Sequence, residues 1–148
     1  MNQCELNKQY PVHLQQSVIW GDMDAFQHVN NTVYFRYFED VRIEFFTQLG
    51  VMKYLEETQV GPILASTRCD FRAPVSFPDD VVIGAWISQV AEKRFTMYYQ
   101  AHSLSQQCLV AEGEGLVVFY DYKNNKSAAI PSHIVENIER LQEGFELA

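Results

Sequence analysis

The chain has 148 residues, of which 47% are hydrophobic and 20% charged, and its formal net charge is −8 at pH 7. This length supports one domain with a sizeable core, and the hydrophobic share excludes a disordered chain. The acidic balance excludes the basic footprint of a nucleic-acid binder and disfavours an anionic membrane surface. It leaves open an anionic substrate held by a few local cations.

Aromatic residues reach 14%, with ten Phe and eight Tyr. So many rings imply a thick core, a large interface or an apolar ligand slot. The three cysteines, Cys4, Cys69 and Cys108, are far apart and form no C-x-x-C pair. They read as free thiols in a reducing compartment, with Cys69 and Cys108 as core residues on strands. Met1 to Tyr10 is polar without an apolar h-region, and no run approaches 18 apolar residues. A cytoplasmic protein with no signal peptide and no membrane or nucleic-acid partner is therefore expected.

One domain is expected over residues 1–148, with residues 1–10 as a loosely ordered end. His13 to Trp20 reads as a first strand, with Leu14, Val18 and Trp20 on one parity. Gly21 and Asp22 break that pattern, and a loop runs to Val29. Asn30 or Asn31 is placed to cap a helix. That helix is predicted over Thr32 to Leu49, because Tyr34, Phe38, Val41, Phe45 and Leu49 recur at three- and four-residue steps. Val33, Tyr37, Ile43 and Phe46 widen the apolar arc, which predicts an enclosed helix. Gly50 is its stop.

Four strands are predicted next. In Ile63 to Ala73, Ile63, Ala65, Thr67, Cys69 and Phe71 fall on one face, and Leu64, Ser66, Arg68, Asp70 and Arg72 on the other. Val81 to Ala91, Arg94 to Leu104 and Cys108 to Tyr122 are joined by short polar turns and read as an antiparallel meander. Ser132 is placed to cap a last helix with Ile134, Ile138 and Leu141 on one face. The order predicts an α+β fold, an antiparallel sheet of about five strands wrapped around one long buried helix.

Chemistry concentrates between Trp20 and Asn31, where Asp22, Asp24, Gln27, His28, Asn30 and Asn31 precede a helix N-terminus. The first turn of a helix carries free amides and a partial positive charge, which polarise a carbonyl and stabilise an oxyanion. A carboxylate just upstream supplies a base or nucleophile. The residues alone thus point to an acyl-transfer or hydrolytic site.

The pattern W-G-D-x-D-x-x-x-H-V-N-N-x-x-Y-x-x-Y-x-E over Trp20 to Glu39, followed by Arg42, resembles the 4-hydroxybenzoyl-CoA thioesterase group of hotdog proteins. The resemblance implies a hotdog fold and hydrolysis of acyl-CoA thioesters, with no cofactor and no metal. It implies Asp24 as nucleophile or general base, the Asn31 amide as the donor to the thioester carbonyl, and a catalytic or supporting role for His28. It also implies subunits paired as a homodimer or homotetramer. In the related plant acyl-ACP thioesterases an Asn stands where this chain has Phe26.

Tyr34 and Phe38, on the apolar arc of the helix, are expected to line the acyl slot. Arg68, Arg72, Lys93 and Arg94 are placed on or between strands, and Arg68 and Arg72 are the candidates to meet the phosphates of coenzyme A. Asp22 reads as a turn residue, and Glu39 with Arg42 as an i,i+3 ion pair. The spacing of Asp22, Asp24 and His28 fits no standard zinc pattern. The same motif would suit a non-catalytic acyl-binding module or an acyl-ACP thioesterase. A hydroxyacyl dehydratase on this fold would need a different His and acidic residue.

Overall fold

The computed structural model describes residues 3–147. A short helix α1 (Gln3–Asn7) leads to strand β1 (Val12–Ser17) and a single 3-10 turn at Trp20–Asp22. Helices α2 (Asn31–Leu49) and α3 (Val51–Thr58) follow. Then come β2 (Val60–Phe71), β3 (Asp80–Ser88), β4 (Arg94–Ser103), β5 (Cys108–Asp121), the two-residue β6 (Lys126–Ser127) and α4 (Ser132–Leu141).

The sheet is antiparallel throughout, in the order β1-β3-β4-β5-β2, with β6 added beside β5. Its inner face packs on α2. Phe95, Met97, Tyr99 and Ala101 alternate inward from β4 and are fully buried, as are Phe38, Val41, Phe45 and Leu49 from the helix. This is the α+β hotdog arrangement that the sequence implies. Phe38 can approach the sheet because Gly113 has no side chain: a Cβ there would stand 2.6 Å from Phe38 Cε2.

Helix α2 begins and ends where its residues dictate. The Asn30 side chain accepts from the Thr32 amide at 3.0 Å, which satisfies one free donor of the first turn. Gly50 adopts φ 81°, a left-handed conformation that costs glycine nothing, and so closes the helix. Asn137 Nδ2 from α4 donates to the terminal carbonyl of Leu49 at 2.9 Å.

Several expectations are corrected. The first strand ends at Ser17, and Trp20 lies in the 3-10 turn with 70% of its surface exposed. Helix α2 is covered on one side only. Arg36, Glu39 and Thr47 are exposed, and Ile43, which widens the predicted arc, is 44% exposed. Helix α3 has no counterpart among the predicted elements; it begins directly after Gly50 and buries Val51.

Strand β2 starts at Val60, before Pro62, which an edge strand tolerates because its missing N–H breaks no interior ladder. A bulge between Leu64 and Ser66 inverts the predicted alternation upstream of it. Leu64 therefore opposes inward-facing Val117, and Ile63 turns outward. Ser132 is the first helical residue of α4 rather than its cap, which is Pro131. Cys69 is half-buried, whereas Cys108 is exposed at the start of β5.

The expected loose end falls partly on residues 1 and 2, outside the described residues. Of the rest, Leu6 and Tyr10 are buried. The Tyr10 hydroxyl lies 2.5 Å from Gln100 Oε1, to which it donates, and 2.7 Å from His102 Nε2. Its ring stacks on Trp86, so the N-terminal segment covers the outer face of β3 and β4.

Candidate active site

The segment from Trp20 to Asn31 folds back on itself. Met23 and Val29 form an antiparallel bridge, the Asp24 amide donates to the His28 carbonyl at 2.8 Å, and the Asn30 amide donates to the Asp22 carbonyl at 3.0 Å. These bonds bring Asp24 to the entry of α2. Gln27 turns the chain with φ 64°, an uncommon conformation for a residue bearing a Cβ. Its carbonyl is held by the Ser76 hydroxyl at 2.9 Å. The Val29 amide donates to the Val75 carbonyl at 2.8 Å, so the segment preceding β3 clamps the loop from below.

Within this loop the Asp24 carboxylate is oriented by its own backbone. Oδ1 accepts from the Phe26 amide at 2.8 Å and from the His28 amide at 3.4 Å, the second a longer contact. Among the described residues nothing donates to Oδ2, which stays available for chemistry. The carboxylate is half-buried and shares a surface hollow of about 390 Å³ with Trp20, Gly21, Met23 and Gln27.

Asn31 is the first residue of α2. Its amide has no carbonyl one turn earlier in the helix to bond, while Asn30 already serves Thr32. An acyl oxygen meeting this amide would also meet the positive end of the α2 dipole. His28 lies in the same loop with its side chain exposed. Phe26, 80% exposed, and Trp20 stand at the rim.

Asp22 is not only a turn residue. It forms an ion pair with Arg36 on the first turns of α2, tying the start of the loop to the helix. No local sequence signal marks a pair fourteen positions apart. Val75 and Ser76, which brace the loop, are likewise distant in sequence and carry no motif.

The remaining expected site residues stand elsewhere. Tyr34 and Phe38 are 3% and 0% exposed and belong to the packed core. Tyr34 meets Phe71 edge-on with ring centroids 5.3 Å apart, and Phe38 stacks on Tyr99 at 4.7 Å. Burial pushes the Tyr34 hydroxyl up to about 12, which keeps it protonated at neutral pH.

Arg68 and Arg72 lie on the sheet face opposite α2. Arg72 donates to Glu112 Oε1 at 3.1 Å, and Arg68 lies 3.5 Å from Glu114 Oε1, with Asp70 between the two arginines. Two guanidinium groups thus lie among three carboxylates on this face. The expected Glu39–Arg42 pair is also absent among the described residues. Arg42 turns toward the sheet and donates to the Tyr99 hydroxyl at 3.1 Å, while Glu39 remains exposed. Among the described residues, no group of three or more His, Cys, Asp or Glu side chains gathers to hold a metal ion. Among them, too, no helix is long and apolar enough to cross a membrane.

The chain is 30% identical to the PA2801 protein of Pseudomonas aeruginosa, with a TM-score of 0.78 over 88% of this chain and 99% of that one. It is 26% identical to a thioesterase of Thermus thermophilus solved with coenzyme A and Zn, with a TM-score of 0.81 over 95% and 99% of the two chains. It is 34% identical over 88 residues to YsmA of Bacillus subtilis, a match covering 60% of this chain and 58% of that relative's length. The family model for the thioesterase-like superfamily matches residues 18–138, from the end of β1 to α4, and the chain belongs to that superfamily.

Proposed function

We propose that this protein hydrolyses acyl-CoA thioesters to the free acid and coenzyme A, with Asp24 as the reacting carboxylate. The observation that carries the reading is Asp24 itself: one oxygen is fixed by two backbone amides, the other is free, and the carboxylate sits beside the N-terminus of α2. In this mechanism the thioester carbonyl points its oxygen at the Asn31 amide. Asp24 Oδ2 then either takes a proton from an attacking water or attacks the carbonyl carbon itself. Negative charge grows on the oxygen as the tetrahedral intermediate forms, and the helix-end amide stabilises it there more than in the ground state. Collapse expels the coenzyme A thiolate; on the route through water this leaves the free acid, and on the nucleophilic route a water then hydrolyses the acyl-Asp24 anhydride, releasing the acid and restoring the carboxylate. His28, in the same loop, serves as a supporting polar group.

The acyl group lies in the hollow lined by Trp20, Met23 and Gln27, with Tyr34 and Phe38 as the packed floor beneath the site rather than its walls. Coenzyme A as carrier is supported by the Thermus relative, which was solved with that molecule. The chain works as a homodimer or homotetramer in this reading. Strand β2 is a sheet edge with twelve residues and one neighbour, and Ile63, Leu64 and Phe71 are each more than a third exposed along it. Such an edge invites pairing with a second copy.

The test is a panel of aromatic, short-chain and long-chain acyl-CoA thioesters, followed by loss of thioester absorbance. Turnover of at least one class is expected. No turnover of any member, with binding retained, would make the protein an acyl-binding module instead.

A further inference from the structure

Away from Asp24, a second apolar cavity of about 270 Å³ opens between α2, α3 and β2. Its walls are Ile43 and Phe46 from α2, Met52 and Leu55 from α3, Pro62 and Leu64 from β2, and Val117 from β5. The one charged group in this lining is Arg42. Arg42 and Ile43 stand eleven and twelve positions along α2 from Asn31, which at 1.5 Å per residue is roughly 17 Å from the helix end that serves Asp24.

Arg42 is half-buried and makes one hydrogen bond, to the Tyr99 hydroxyl. No carboxylate among the described residues pairs with it, whereas Arg68 and Arg72 on the sheet edge each have two. A guanidinium presents five N–H donors in a planar fork and cannot shed its charge, so four donors here have no partner among the described residues. Holding such a group against apolar walls is unfavourable unless an anion or water meets it. The bulge in β2 shapes the site further. It turns Leu64 inward opposite Val117, and the absence of a side chain at Gly115 lets Leu64 lie there: a Cβ on Gly115 would stand 3.0 Å from Leu64 Cδ1 and 3.3 Å from the Tyr99 hydroxyl.

We propose that this cavity binds a small amphiphilic monocarboxylate, with its carboxylate forked on Arg42 and its apolar tail between Phe46, Met52, Leu55 and Leu64. Charge complementarity selects the head group. The lining selects the tail, because apart from Arg42 it offers no side-chain donor or acceptor. The volume equals that of about nine liquid-water molecules, which suits a ligand of roughly ten heavy atoms. The site is separate from the proposed thioester site and does not require Asp24 to be catalytic.

Octanoate is the probe, with 1-octanol as its neutral counterpart, each titrated calorimetrically into the full chain. Octanoate is expected to bind at least tenfold more tightly than 1-octanol. Arg42→Met, which keeps the apolar stem and removes the charge, should abolish that preference. Met52→Trp, which fills the cavity from its exposed rim, should weaken both ligands and carries the test if Arg42→Met does not fold. Asp24→Asn should leave octanoate affinity unchanged, which separates this site from the thioester site. Equal binding of the two probes, binding of neither, octanoate affinity unaffected by Met52→Trp, or its loss in Asp24→Asn would each overturn the proposal. So would a finding that Arg42→Met changes only the oligomeric state, since a carboxylate of a second copy would then be the partner of Arg42.

Discussion

Replacing Phe38 with alanine separates a core residue from a lining residue. Its ring is fully buried, stacked on Tyr99 with planes 8° apart, and seated over the bare Cα of Gly113. Truncating a buried Phe costs about 3–5 kcal/mol, through lost transfer energy and the cavity left behind. The ring pair contributes about 0.5–1.5 kcal/mol of this. The site cannot collapse easily, because Tyr99 is held by Arg42 and the β5 backbone is fixed between two strands. The loss should therefore fall in the upper half of the range, a large part of a typical total of about 5–15 kcal/mol. Urea unfolding followed by far-UV circular dichroism measures it, with the midpoint falling at an unchanged slope. A loss below about 1 kcal/mol, together with a new preference in acyl chain length, would refute the reasoning and restore Phe38 as a wall of the substrate slot.

Asn30→Ala removes the side-chain acceptor for Thr32 and should cost about 1 kcal/mol, read from the same unfolding curves. Burial holds the His102 imidazole below its ordinary pKa of 6.5. The unfolded chain therefore takes up this proton more readily than the folded one. The contribution is present above about pH 6.5 and is lost as pH falls below it. Wild type should lose more stability than His102→Asn between about pH 8 and pH 5.5; equal losses would remove His102 from the account. Burial also pushes the Cys69 thiol up to about 11, with Asp70 adding to the shift. Cys4 and Cys108 are exposed. An aromatic disulfide reagent at about pH 8 should label those two quickly and Cys69 slowly, as peptide mapping would show.

Much of the fold was legible because local and tertiary signals agreed. The spacing of Tyr34, Phe38, Val41, Phe45 and Leu49, the Asn30 cap and the Gly50 stop all describe one helix, and α2 has those bounds within one residue. The meander of β3, β4 and β5 followed from alternation and short polar turns. Asp24 stands out in the sequence as a candidate because a carboxylate ahead of a helix N-terminus has a chemical meaning before any fold is known.

What escaped depends on contacts between distant residues. Nothing local marks the β2 bulge that turns Leu64 inward, and a slip of one residue flips a strand's faces. The carboxylates opposite Arg68 and Arg72 are set by the pairing of β2 with β5, which periodicity alone does not give. Helical spacing placed Tyr34 and Phe38 on the apolar face correctly. It carries no information about whether that face meets a ligand or another side chain.

The most direct test of the central claim is the turnover of Asp24→Asn on the best substrate of the acyl-CoA panel, beside its thermal unfolding midpoint. The amide keeps an oxygen to accept from the Phe26 and His28 amides, so the loop and the unfolding midpoint should be retained. Without a carboxylate to act as base or nucleophile, kcat should fall by about a hundredfold or more. A folded Asp24→Asn protein that turns over at the wild-type rate would contradict the account.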